Sequence, residues 1–181
     1  MPAGQPLPFD PIAEAERQWK AHGWKRPTAM AAITSVMRAQ QLLLAQVEER
    51  LRPFDLTFAR YEALVLLRFS SRGSLPLGKM GERLQVHPTS MTNVIDRLEQ
   101  QSLVRRLPHP DDRRATLAEI TAAGRRLVEK ATAALEVDGF DVPGMNASEL
   151  RQLIVLLEKL RKGAGDFSAG GSRTANSRAS E

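Results

Sequence analysis

The 181-residue chain contains no cysteine. That excludes a disulfide framework, thiolate zinc sites, iron–sulfur clusters, a cysteine nucleophile and any sensing by thiol oxidation. Histidine is scarce, and His22, His87 and His109 are too scattered to form a ligand cluster, so neither a metal nor a cofactor is expected. No run of about 18 apolar residues occurs, so no membrane span is read. No basic segment followed by an apolar stretch opens the chain, so no secretory signal is read and a cytoplasmic protein is expected. A Gly-rich phosphate loop, a metal motif and a Ser/His/Asp set in context are all missing, so an enzyme is not expected.

What is present is a foldable chain with a slight basic excess. Hydrophobic residues make up 42%, enough to bury a core. The length suits one domain with an appendage. The 26 Lys and Arg outnumber the 21 Asp and Glu, a net charge of +5 that lies wholly before residue 115. Alone, such an excess is what any solvated surface carries; it gains meaning from the elements beneath it.

Residues 1–9 read as a flexible Pro/Gly-rich arm. Asp10-Pro11 then caps an extra N-terminal helix that ends near Ala21, within a segment 10–27. Ile33, Val36, Met37, Leu43, Leu44, Val47 and Leu51 recur at helical spacing and predict a helix over 28–51, stopped by Pro53. Thr57 caps a helix over 58–70 with Tyr61, Leu64, Val65 and Leu67 inward. Residues 70–74 read as a turn. A short helix over 77–84, a tight connection at 85–88 and a helix over 89–101 follow. Strands are predicted at 103–107 and 116–120, joined by a loop rich in Pro and Asp. Thr121 opens a helix to about residue 138. Asn146 to Glu149 has capping-box spacing and opens a last helix to Lys162. Residues 163–181 read as a disordered tail.

Two short helices joined by a tight turn form a helix-turn-helix, whose second helix enters the major groove with its N-terminal residues toward base edges. Here those residues are Thr89, Ser90, Thr92 and Asn93, small or polar where a purely structural surface helix would carry Glu and Lys. Ser and Thr contact any base or a phosphate, and Asn suits adenine. The following hairpin is a wing, with His109, Arg113 and Arg114 at its tip, suited to the narrow minor groove. Asp111 and Asp112 repel phosphate and are read as internal partners that fix the arginines' direction.

The succession of helices, with Val86-His87-Pro88-Thr89-Ser90-Met91-Thr92-Asn93-Val94-Ile95-Asp96-Arg97-Leu98-Glu99, then Leu103-Val104-Arg105-Arg106, Asp112-Arg113-Arg114 and Ile120-Thr121-Ala122-Ala123-Gly124, resembles the MarR family of bacterial transcription regulators over about residues 30–162. The resemblance implies a mainly α fold with a small β-hairpin: a winged helix-turn-helix DNA-binding domain over 57–120 and a helical dimerisation lobe from 28–56 and 121–162. It implies a homodimer on double-stranded DNA bearing a pseudo-palindromic operator. Carried over by position, Thr89, Ser90, Thr92, Asn93 and Arg97 belong to the recognition helix, Arg113 and Arg114 to the wing, and Asp112 to the acidic partner that orients it. Lys79 and Arg83 are phosphate-contact candidates.

The resemblance further implies a repressor released by a small phenolic or anionic effector, from a pocket bounded here by Ile33, Met37, Phe54, Phe58, Tyr61 and Arg105. Core packing is the commoner reason for aromatics at helical spacing. The extra helix with Trp19 and Trp24 resembles that of a urate-responsive branch. However, Glu62 and Val94 stand where that branch tends to have Asp and Arg, and Trp19 is read as an anchor for the helix. The competing function is a winged-helix module that binds protein rather than DNA; such modules often lose the polar recognition residues and wing arginines retained here.

Overall fold

A computed structural model describes residues 6–110, 112 and 115–168. The chain divides into two compact units, residues 1–141 and 142–181.

The first unit begins with α1 (Pro11–Ala21), whose first turn is held by Asp10: its carboxylate accepts the Ile12 amide at 2.8 Å. The chain turns through Trp24, and the Trp19 indole donates to the Lys25 carbonyl at 2.9 Å while packing edge-on against Trp24. Helix α2 (Pro27–Leu51) follows, closed by a 3₁₀ turn over Arg52–Phe54. Thr57 caps α3 (Phe58–Phe69), accepting from the Arg60 amide.

The winged part runs β1 (Ser74–Pro76), α4 (Leu77–Leu84), α5 (Pro88–Gln100), β2 (Val104–Pro108) and β3 (Thr116–Ile120). The hairpin expected from the sequence is there, with Val104 opposite Ile120 and Pro108 opposite Thr116. A third strand was not foreseen: residues 74–76, read partly as turn, pair antiparallel with β3 to give the order β1-β3-β2. Three residues ending in proline carry too little alternation to reveal a strand, which exists because β3 offers it an edge.

Helix α6 (Ala122–Ala134) runs into a π-helical turn, Leu135–Gly139, so the helix expected to reach residue 138 changes its winding four residues earlier. Gln46 of α2 donates to the Asp138 and Gly139 carbonyls at the end of that turn and, just beyond it, to Asp141 O at 2.8 Å, and Arg50 pairs with the Asp138 carboxylate at 2.6 Å. The Gln46 bonds satisfy backbone carbonyls where the wider winding ends.

One core joins the first unit. Leu64 and Leu67 of α3, Met80 of α4, Met91, Ile95 and Leu98 of α5, Val104 and Ala118 of the sheet, and Val128 and Leu135 of the α6 segment are all buried. Gly124 explains the motif Ile120-Thr121-Ala122-Ala123-Gly124. The Thr121 hydroxyl accepts the Gly124 amide at 3.0 Å and donates to the Ser102 carbonyl at 2.9 Å, which docks α6 on the loop before β2. A Cβ on Gly124 would lie 2.2 Å from the Leu103 carbonyl oxygen. Only glycine permits that approach.

The second unit is built on α7 (Ala147–Gly163), opened by the expected capping box between Asn146 and Glu149. It carries no buried residue. Gly163 closes this helix rather than starting a tail, and residues 164–168 form a turn held by the Asp166 amide on the Arg161 carbonyl. The rest of the expected tail, 169–181, and residues 1–5 of the arm lie outside the described residues. Among the described residues no helix is long and apolar enough to cross a membrane.

Candidate nucleic-acid interface

Helix α5 is defined at both ends by backbone chemistry. His87 caps its start, the ring Nδ1 accepting the Thr89 amide at 3.3 Å, with Pro88 in the first turn. Ser102 ends it in the left-handed region (φ 59°), where the Leu103 amide bonds Leu98 O at 2.9 Å and the Ser102 amide bonds Glu99 O at 2.8 Å. This is a Schellman closure, sealed by the buried Leu98 and Leu103. The tight turn before α5 also uses a left-handed residue, Gln85 (φ 51°).

With Met91, Ile95 and Leu98 in the core, the helical period leaves Thr89, Ser90, Thr92 and Asn93 exposed on the opposite side. The Thr92 hydroxyl donates to the Pro88 carbonyl at 3.0 Å, so toward a partner it presents acceptor lone pairs and a methyl group. Arg97 is exposed on the next turn and, among the described residues, meets only the Gln100 amide oxygen, at 3.3 Å. Lys79 and Arg83 are exposed on α4, beside α5 in the helix pair.

Of the wing residues named from the sequence, Arg113 and Arg114 lie outside the described residues, as does Asp111. Asp112 is exposed, and its carbonyl accepts the Ala115 amide at 3.0 Å. His109 is half-buried, with its amide on Ala115 O at 3.2 Å. The His109 bond continues the β2–β3 pairing one residue past Pro108 and Thr116.

Sequence reasoning missed the residue that joins the wing to the helix. Arg106 on β2 holds Asp96 and Glu99 of α5, each at 2.5 Å, and its Nη2 lies 3.4 Å from the Thr92 carbonyl. Its own amide donates to Glu99 at 3.0 Å. Burial of the guanidinium opposes its charge and is the largest single influence on its pKa, but the hydrogen bonds and attraction of the two carboxylates outweigh it, and the pKa is raised. The available signal was an acidic pair three apart on α5 with no helical partner, followed by an arginine in the middle of a strand.

The six residues suggested for an effector pocket are not brought together in one chain. Arg105 sits on the exposed side of β2, ion-paired across the ladder with Glu119, which raises its pKa. The alternation of the strand directs it away from the core. Ile33 and Met37 are 56% and 61% exposed on α2. Phe58 stacks with Tyr61 at 6.4 Å, and the Tyr61 hydroxyl lies 3.0 Å from that of Thr132; with Phe54 they pack into the core or against it. Among the described residues no three His, Asp or Glu are grouped to hold a metal ion.

The model of the MarR family matches residues 56–116, from the start of α3 to the beginning of β3. A MarR family transcriptional regulator of Streptomyces coelicolor, Sco5413, has a crystal structure similar to this chain at TM-score 0.72 and 52% identity, over 78% of this chain and 98% of that one. The HTH-type transcriptional regulator YhbI of Bacillus subtilis is 34% identical over 122 residues, covering 65% of this chain and 78% of its own. A point mutant of Escherichia coli MarR, solved in complex with operator DNA, matches at TM-score 0.66 and 26% identity, over 70% and 91% of the two chains.

Proposed function

The chain belongs to the MarR family of transcriptional regulators, and from that premise we propose that it binds a pseudo-palindromic operator as a homodimer and acts as a repressor. In this reading α5 lies in the major groove, with Thr89, Ser90, Thr92 and Asn93 toward base edges and Arg97, Lys79 and Arg83 on phosphates. The wing, residues 108–114, enters the minor groove with His109, Arg113 and Arg114, and Asp112 orients it. The observation that carries the proposal is the exposed, uncharged polar start of α5, held against the wing strand by Arg106. A structure-only helix in that place would have no use for four small polar residues clear of the core within five positions.

The dimer is supported by apolar residues that one chain leaves in water. Ile33, Val36, Met37, Leu42 and Leu43 of α2 are exposed, as are Ile154, Val155, Leu156 and Leu160 of α7. A monomer rarely leaves so many large apolar side chains uncovered. Residues 28–56 and 121–162 supply the lobe in this proposal, and a dimer sets two copies of α5 about one helical turn apart. An effector site is proposed in a narrower form than the sequence suggested, without Arg105, on the side of Ile33, Met37, Phe54, Phe58 and Tyr61, with phenolic acids as the class to screen.

The test is selection of random duplexes by the purified protein, followed by titration of the enriched duplex and of a random one. A palindromic consensus bound at least a thousandfold more tightly than random DNA is expected. Equal affinity for both favours the protein-interaction module instead. Light scattering checks the dimer independently.

A further inference from the structure

The flank of α5 that carries Asn93 and Arg97 is turned away from the flank, Thr92, Asp96 and Glu99, that meets Arg106. Between it and the start of α3 lies an open cleft of about 590 Å³, walled by Asn93 and Arg97 on one side and by Asp55, Thr57 and Arg60 on the other. Its lining carries two guanidinium groups against one carboxylate, an excess of one positive charge. Arg50, Arg68, Arg105 and Arg106 all have carboxylate partners. Among the described residues Arg97 meets only the Gln100 amide oxygen, and the Arg60 guanidinium only the Thr57 hydroxyl, at 3.3 Å each. The carboxylate on the wall, Asp55, is engaged by the Gln101 amide at 2.5 Å. The Thr57 hydroxyl accepts from Arg60, which leaves its own proton for a further acceptor.

We propose that Arg60, with Thr57 beside it, grips a DNA backbone phosphate at the edge of the major groove, so that the DNA-binding surface extends from the helix-turn-helix onto the first turn of α3. This rests on the reading of α5 as the recognition helix. A helix seated in the groove has a phosphate strand along each flank. On the Arg97 flank, two guanidinium groups, neither of them ion-paired among the described residues, face one cleft, and guanidinium is the side chain whose donor fork fits a phosphate. Such a contact fixes the angle at which α5 enters the groove and carries no sequence information of its own.

The experiment measures binding of wild type, Arg60→Gln and Arg60→Lys to a random duplex of about 30 base pairs, long enough for two half-sites. A duplex selected from a random pool is titrated in parallel, both across a salt series. Arg60→Gln is expected to weaken both duplexes by the same factor, roughly five- to tenfold near 0.1 M salt. It should flatten the plot of log K against log salt by about 0.9 per protomer, and Arg60→Lys should restore that slope. Thermal melts confirm that the variants are folded, and Arg60→Ala, with the same expected weakening and flattened slope, serves as the probe if Arg60→Gln is not. An unchanged slope while wild type still prefers its selected duplex overturns this inference alone. A loss confined to the selected duplex also overturns it, since Arg60 would then act on base reading. Saturable competition by inorganic phosphate at constant ionic strength, absent in Arg60→Gln, would assign the cleft to a free anion instead. Wild type that shows no preference refutes the parent reading, while a slope change with Arg60→Gln still supports the grip; wild type that binds no duplex overturns both.

Discussion

Replacing Arg106 by methionine removes the fork that ties β2 to α5 while keeping most of the side-chain volume. Two ion pairs at 2.5 Å are lost, and Asp96 and Glu99 are left side by side on the helix. The arginine side chain is 27% exposed and the carboxylates 44% and 40%, so the pairs lie between surface and buried cases. Exposed pairs contribute about 0–1 kcal/mol each, and partial burial with hydrogen bonding moves these to the upper part of that range. Together with about 0.2–0.5 kcal/mol of like-charge repulsion along the helix, the expected loss is about 1–2 kcal/mol. In a chain of this size that lowers Tm by about 3–6 °C. With a usual stability of about 5–15 kcal/mol the variant is still almost wholly folded at 25 °C, so lost stability cannot by itself weaken DNA binding. Wing and helix would, however, no longer be held at one mutual angle. Fluorescence anisotropy should then show the selected duplex losing affinity at least tenfold more than a random duplex. Equal loss on both duplexes would mean that only a charge was removed, and no loss would mean that the fork plays no part in presenting α5. Either result refutes the positioning role.

Three further outcomes follow from the same geometry. Gly124→Ala forces a Cβ onto the Leu103 carbonyl and should cost about 1–3 kcal/mol, read by urea denaturation. Ser102→Gly relieves a left-handed backbone at the end of α5 and should stabilise by about 0.5–1 kcal/mol in the same assay. Burial raises the Glu62 pKa above its ordinary value, so the folded state binds the proton more tightly than the unfolded chain does. Stability from this group is full below the unfolded pKa of about 4.5 and is lost as pH rises through the folded value. Glu62→Gln should therefore raise Tm at pH 7 and lose that advantage near pH 4; a gain that persists at pH 4 refutes the desolvation account.

Legibility from the sequence followed the range of the interactions. The caps at Asp10, Thr57, Thr121 and Asn146 were readable because each bonds an amide two or three residues on. The polar start of α5 was readable because helical spacing sorts Met91, Ile95 and Leu98 from Thr89 and Asn93 without knowledge of any partner. Strand β1 was not, since residues 74–76 become a strand only beside β3, more than 40 positions later. Arg106 escaped for the same reason: nothing local shows that it lies over Asp96 and Glu99. Arg105 was included in the pocket through the family resemblance, which does not show that strand alternation sends it outward to Glu119. The cleft beside Arg60 is formed by segments some 30–40 residues apart and has no signature in the chain.

The central claim is that α5 reads bases, and Asn93 tests it most directly. Binding of wild type and Asn93→Ala is compared on the selected duplex and on each of its single-base variants, with the salt slope recorded for both proteins. Asn93→Ala is expected to lose about 1–3 kcal/mol on the selected duplex, to lose discrimination at one position in each half-site, and to keep the wild-type salt slope. A uniform loss on every duplex, or full discrimination retained at every position, would contradict that claim.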